Sequence, residues 1–328
     1  MNRAWLRPTI VVVTLVASMS AAAETRFWRL ADVRFNDGAV ATGYIGYDEA
    51  AGTLVEWNVR VSSGRSSWPV APFTYSAGNS VGIAFGDSFV FDSTFKGLSA
   101  AVGKDVYRSL WLARLAPLDG SVVTVGLRSD RGADAWRLDD EAPMYRAITA
   151  GSLMLMASPP SAVTAGVVEF YNAESRHYFL TADDAEKRDL DLGIHPGWVR
   201  TGESFEALAT GSRSEGRVNP VCRYYQATAA APATHFFSAD ADECVQVFWK
   251  YGASDWFLES DNVFEVALPD KTTGNCPGGT IPVYRVWNQR IDSNHRYTVK
   301  ASVKAEMLAA GYVAEGYGPE GVAMCALR

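Results

Sequence analysis

Three of the four histidines, His177, His235 and His295, stand 58 and 60 residues apart, and each is followed two positions later by Phe179, Phe237 or Tyr297. Three equivalent imidazoles meeting on one axis would make a three-nitrogen metal site with an open position. Side chains alternate along a strand, so each histidine instead shares a face with an aromatic neighbour, while Arg296 between His295 and Tyr297 marks the opposite face as wet. The expectation is therefore a structural role, each ring donating a hydrogen bond within its own segment, with no metal bound. Two acidic groups, Asp183, Asp184 and Glu186, then Asp240, Asp242 and Glu243, would suit calcium. They lack a complete acidic loop with its glycine and read as first-turn helix acids placed by the helix dipole.

A hydrolase reading starts from Gly86-Asp87-Ser88, which follows the apolar Val81–Phe85. This block resembles the nucleophile motif of GDS-type lipases and esterases, and Asp292-Ser293-Asn294-His295 has the spacing of the remaining triad members. The resemblance implies a serine esterase. However, Phe89-Val90-Phe91 continues as strand where that family needs a helix, and Gly86-Asp87 reads as a hairpin turn. No catalytic constellation is assigned.

The histidines belong to a longer pattern. Val167-Val168-Glu169-Phe170-Tyr171-Asn172, Val221-Cys222-Arg223-Tyr224-Tyr225-Gln226 and Val283-Tyr284-Arg285-Val286-Trp287-Asn288 align position by position, with a charge third, an aromatic fifth and an amide sixth. Each histidine strand ends near Thr181, Ser238 or Thr298, which suit helix N-caps. A short helix should follow, clearest at Ala301–Ala310 with Gly311 as its stop. Each copy then reaches Trp198, Trp256 or Tyr312. The spacing predicts three repeats, at about 166–212, 220–270 and 280–328, in one pseudo-threefold, trefoil-like domain with one helix per repeat; a three-bladed propeller-like arrangement is the alternative. Trp198, Trp256 and Tyr312, with the amides Asn172, Gln226 and Asn288, are the candidate ligand-binding residues: exposed aromatics would stack on sugar rings, buried ones would seal repeat against repeat. With Phe170-Tyr171-Asn172, His235-Phe236-Phe237-Ser238, and Tyr312 before Glu315-Gly316, residues 166–328 resemble exported bacterial and fungal repeats of unknown function. The resemblance implies an accessory binding role beside cell-wall lytic modules. The chain departs from that pattern in Leu180, in Val286-Trp287 and in lacking Glu-Gly after Trp198.

Before the proline-bearing stretch 158–165, strands are read at Phe27–Phe35, Ala39–Tyr47, Thr53–Val61, Ser88–Phe91, Ser109–Leu115, Ser121–Arg128 and Ala150–Met156. Many short alternating strands predict a β-sandwich over 24–157, with Trp28, Trp57, Trp68, Trp111 and Trp136 as core and edge packing. Trp28, Asp37-Gly38, Tyr47-Asp48 and Trp57-Asn58 carry a resemblance to a β domain of exported proteins, some of which end in PEP-CTERM tails; no such tail is read here.

Arg3 and Arg7, the apolar Ile10–Val16 and Ala21-Ala22-Ala23 predict a signal peptide over 1–23, cleaved near Ala23, and secretion to the periplasm or beyond. Its apolar core is too short to span a bilayer. Losing two arginines takes the formal net charge from −7 to −9, and an acidic chain without a Lys/Arg-rich run is a poor match for nucleic acid or an anionic membrane surface, which are not expected as partners. Four cysteines without close metal-type spacing predict two disulfides; they allow three connectivities, of which Cys222–Cys244 with Cys276–Cys325 is the one expected. The sequence thus reads as an exported, non-catalytic, mainly β binding protein without cofactor. The expected partner is a glycan or cell-wall polymer, with a protein partner for an adhesive role as the alternative.

Overall fold

The computed structural model describes residues 25–65, 72–96, 104–119, 121–139, 141–214, 218–228 and 231–328. The expected signal peptide and Trp68 lie outside them. The protein is mainly β, with antiparallel sheets and three short helices among the described residues. The first half carries β1 (Thr25–Phe35), β2 (Val40–Asp48), β3 (Thr53–Val61), β4 (Phe73–Ser76), β5 (Val81–Phe85), β6 (Ser88–Phe95), β7 (Val106–Ala113), β8 (Thr124–Gly126), β9 (Ala133–Leu138) and β10 (Met144–Leu155). They pair in the order β4-β3-β2-β1-β10-β9-β7-β6-β5, with β8 against β10.

The long strand β10 turns this sheet over on itself. Its first residues pair with β9 and its last with β1 and β8. At Gly151, φ is +140° and a Cβ would stand 2.7 Å from Val33, so only glycine serves there. Trp28, Ile45 and Val59 from one arm and Phe89, Phe91 and Leu110 from the other consequently share one core.

Strand β9 escapes sequence reading because Ala-Asp-Ala-Trp-Arg is poor in strand formers. It pairs because Asp134 is completely buried between two arginines. Arg108 and Arg146 donate to its Oδ2 at 3.0 and 2.8 Å, and the Tyr75 hydroxyl donates to Oδ1 at 2.8 Å. Burial pushes the Asp134 carboxyl up, yet the two guanidiniums outweigh it and hold the group below the usual carboxylate range.

The second half carries the three helices and the remaining strands. Strands β11 (Thr164–Asn172) and β12 (His177–Thr181) precede helix α1 (Asp184–Asp191) and β13 (Trp198–Leu208). After β14 (Asn219–Pro220) come β15 (Cys222–Thr228), β16 (Ala231–Ser238), α2 (Ala241–Asp255) and β17 (Phe257–Ser260). After β18 (Glu265–Val266) come β19 (Thr280–Trp287), β20 (His295–Thr298), α3 (Ala301–Ala309) and β21 (Val313–Glu315), and β22 (Val322–Leu327) closes the chain. In each segment the opening strand lies between the histidine strand and the closing strand, and β12, β16 and β20 touch one another.

Both expected disulfides are formed, Cys222–Cys244 joining β15 to α2 and Cys276–Cys325 holding β22. The helix caps differ from expectation. Asp183, Asp240 and Lys300, two residues after Thr181, Ser238 and Thr298, occupy the N-cap positions. The hydroxyls instead accept the N–H of those cap residues at 3.0 Å, because the strand has not ended where they stand. Helix α3 stops as expected at Gly311, whose φ is +91°.

The halves are joined by polar bonds and one helix. Asn58 donates to Glu265 at 2.7 Å, Thr74 donates to Asp261 at 2.8 Å, and Arg60 pairs with Asp261. Ala241, Val245 and Trp249 of α2, the longest helix described, pack against the core of the first half.

Candidate functional site

Each histidine takes a carboxylate, but not all from the expected place. His235 and His295 meet Glu259 and Glu315 of their own segments at 3.4 and 3.1 Å, three residues after Trp256 and Tyr312. Segment one has Thr201 at that position. His177 therefore turns to the other two segments, its Nε2 facing Asp292 Oδ2 at 3.2 Å and its Nδ1 the Ala233 carbonyl at 2.6 Å. This corrects the expectation of a bond within its own segment. Both partners are acceptors, so making both bonds at once takes a doubly protonated ring. Asp292 thus serves His177, not His295.

The acids after the histidine strands are likewise spoken for. Asp183 and Asp240 cap helices. Glu186 accepts Arg223 at 2.7 and 2.9 Å, and Glu243 accepts Arg285 at 2.7 and 2.8 Å. Between segments three and one the charges are reversed: Arg296 donates to Glu169 at 2.9 Å. Burial would raise the Glu186 and Glu243 carboxyls, but these arginines and the hydroxyls of Thr181 and Ser238 bring both below the usual range. Among the described residues no group of three or more His, Cys, Asp or Glu is arranged to hold a metal.

Burial pushes the His295 ring below the usual imidazole range, with Glu315 opposing and Arg285 assisting. The ring is thus neutral near pH 7 and donates its Nε2 proton to Glu315. Between this depressed value and the ordinary value of about 6.5, the native state binds fewer protons than the unfolded chain. The contribution is therefore fully present above about pH 6.5 and lost as pH falls through the folded value. The thermal midpoint should fall more between pH 7.5 and 5.0 for the wild type than for His295→Gln, which keeps a donor for Glu315; equal slopes in the two titrations would remove His295 as the cause.

The second-half aromatics do not form three equivalent open platforms. Trp256 is only 7% exposed and packs on Phe236, while the half-buried Trp198 packs on Phe179. Tyr312 accepts a hydrogen bond from Asn294 at 3.0 Å, and burial raises its hydroxyl pKa. The amides serve turns: Asn172 accepts the N–H groups of Glu174 and Ser175, and Asn288 those of Arg290 and Asn294. Gln226 is half-buried, and its Oε1 is buried without a partner in the structure.

Ser88 stands at the start of β6, where its hydroxyl donates to Asp87 Oδ1 at 3.0 Å across the β5–β6 turn. The strand continues beyond it as expected, and the histidines are held by carboxylates in the other half of the chain.

The open aromatic surface lies in the first half. Alternation along β7 buries Val106, Arg108 and Leu110 and turns Tyr107, Ser109 and Trp111 outward. On β9 the outward positions are Ala133, Ala135 and Arg137, and on β10 Tyr145. Ala133 is paired with Trp111, and Ala135 with Ser109 on one side and Tyr145 on the other. Two alanine methyls thus floor a depression of about 460 Å³, walled by Trp111 (45% exposed) and Tyr145 (70% exposed). This corrects the expectation for Trp111, while Trp28 and Trp136 are buried as expected. The walls stand two strand spacings apart, about 10 Å. Polar groups share the face: Asp92, which accepts the Ser109 hydroxyl, and the exposed Thr94 and Arg137. The signal was the alternation Tyr107, Ser109, Trp111, hidden because β9 and the start of β10 were not read as strands.

A more enclosed apolar cavity of about 90 Å³ lies between the halves, lined by Phe73, Phe95, Trp136, Phe248 and Trp249.

Residues 166–324 match a family model described as a domain of unknown function (DUF5648). Nothing identifies the first half. No curated protein and no solved structure matches the chain.

Proposed function

We propose that the chain is an exported, non-catalytic binding protein that holds a glycan or cell-surface polymer in the groove over Ala133 and Ala135. On this reading the first half is a β-sandwich that presents the groove. The second half is a pseudo-threefold, trefoil-like unit whose aromatics seal its own segments. The observation that carries the reading is the pair of exposed rings, Trp111 and Tyr145, flanking a floor of methyl groups with hydroxyl and carboxylate groups on the same face. Sugar rings present an apolar face for stacking and hydroxyls at their edge for hydrogen bonds, and this surface offers both. Two disulfides suggest an oxidising compartment, in keeping with export. The ties between Glu169, Glu186, Glu243 and the arginines of neighbouring segments support the threefold arrangement.

The alternative, an adhesive protein with a protein partner, draws on edge strand β5. Among the described residues it pairs with β6 alone and exposes Val81, Ile83 and Phe85, the kind of edge that another chain can extend.

The test is binding of residues 24–328 to a glycan array and to insoluble cell-wall polymers, beside Trp111→Ala and Tyr145→Ala. Each substitution is expected to weaken binding by about fivefold or more, on the scale of about 1–3 kcal/mol that one aromatic stacking partner is worth for a nucleobase. The thermal midpoint should barely move, because neither ring is in the core. Binding that survives both changes, or no binding to any polymer, sinks the reading and brings the protein partner forward.

A further inference from the structure

We infer that the glycan is acidic, a polymer whose sugar carboxylate is read by Arg137 at the β9 end of the groove. This inference rests on the reading of the groove as a glycan site. Arg137 is exposed at the rim, and its guanidinium lies 4.8 Å from the centre of the Tyr107 ring. Among the described residues no carboxylate pairs with it, although most arginines facing other parts of the fold are paired. The other charges on this face are already engaged. Asp92 holds the Ser109 hydroxyl. At the far end Arg131 and Arg128 both face Asp87, at 3.6 and 3.7 Å, and Arg128 also holds Asp130. Arg137 is therefore the positive end of the groove, and Asp92, across β7, is the carboxylate on the same face.

Stacking on Tyr107 restrains the guanidinium before a ligand arrives, leaving its planar fork of N–H donors free for a carboxylate. A sugar that lies on the alanine floor and carries a carboxylate at its edge toward Tyr107 meets the groove and the fork at once. A neutral sugar would leave the fork without a partner. Arg131 lies in the turn before β9 and already faces Asp87, so a single carboxylate contact is expected rather than a row of them.

The test compares polymers that differ only in carboxylate charge. Polygalacturonate, alginate and hyaluronate, each beside its methyl ester, are titrated against residues 24–328 and against Arg137→Gln and Trp111→Ala. The wild type is expected to bind at least one free acid about tenfold more tightly than its ester, the order of one charge-assisted hydrogen bond. Arg137→Gln should bind acid and ester alike, at the level of the ester, and Trp111→Ala should bind both weakly. Equal wild-type affinity for acid and ester overturns the inference and leaves the glycan reading standing. Preference for the acid that persists in Arg137→Gln overturns Arg137 as the reader. No binding to any acid or ester overturns the inference, and the neutral polymers of the preceding experiment then decide the glycan reading itself.

Discussion

Asp134→Ala should cost about 3–5 kcal/mol of stability, the range for removing one partner from a buried ion pair. The change leaves Arg108 and Arg146, both almost without solvent contact, facing each other across an empty site, and it strips the buried Tyr75 hydroxyl of its acceptor. Arg146 retains Asp37 at 3.2 Å and the Ser62 carbonyl at 3.1 Å, while Arg108 keeps its stacking over Phe73 at 4.9 Å. Neither replaces the lost charge. Because domains are commonly stable by only about 5–15 kcal/mol, the urea midpoint should drop by a large fraction, with binding in the groove lost alongside, since β9 supplies its floor. A midpoint within the range of ordinary surface changes would mean that water or a shift of the arginines compensates the pair. Asp134 also ties stability to acid. Its folded pKa is depressed, so its contribution is present above the ordinary carboxylate value near 3.9 and lost as pH falls through the folded value.

Removing the Cys276–Cys325 disulfide should cost about 4 kcal/mol on a chain-entropy account of a loop of this size. The bridge spans 49 residues and fastens β22, whose Cys325 lies opposite Pro282 of β19 and exchanges backbone bonds with Ala267. Strand β22 also places Met324 and Ala326 in the core of the second half. The double change Cys276→Ser with Cys325→Ser is therefore expected to lower the denaturant midpoint strongly and to speed hydrogen exchange first in β19 and β22. The Cys222–Cys244 bridge closes only 22 residues and should be worth somewhat less by the same account. If the double serine protein melts where the wild type does, the hydrogen bonds of β22 alone fix the C-terminal strand, and the loop-closure account fails here.

Much of the architecture was legible in the sequence because it is written in short-range patterns. Alternation of apolar and polar residues located β1, β2, β3, β6 and β7 to within a few residues. Three aligned openings predicted the strand, strand, helix, strand order of the second half, and Gly311 marked a helix end. Cysteine count and compartment predicted two disulfides, and the structure forms the expected one of the three connectivities. The absence of Glu-Gly after Trp198 was visible too, although its consequence for His177 was not.

What the sequence left open are choices between elements far apart along the chain. His177 finds Asp292 115 residues away, Tyr75 finds Asp134 59 residues away, and Asn58 finds Glu265 207 residues away. No local period encodes such partners; they follow from which strands are neighbours once the sheets have formed. Strand β9 is the clearest case. Its own residues favour a strand only weakly, and it is held by the buried charges of Asp134 and by pairing with β7 and β10. Only then do Trp111, Tyr145 and Arg137 come to share one face. The sequence by itself determined the strands of strong alternation, the helix after each histidine strand and the presence of two bridges, because side-chain period, turn residues and cysteine chemistry act over a few positions or through the compartment. The tertiary structure alone decided which aromatics face water and which carboxylate each histidine and arginine holds, because burial and ion pairing depend on the packing of the whole chain.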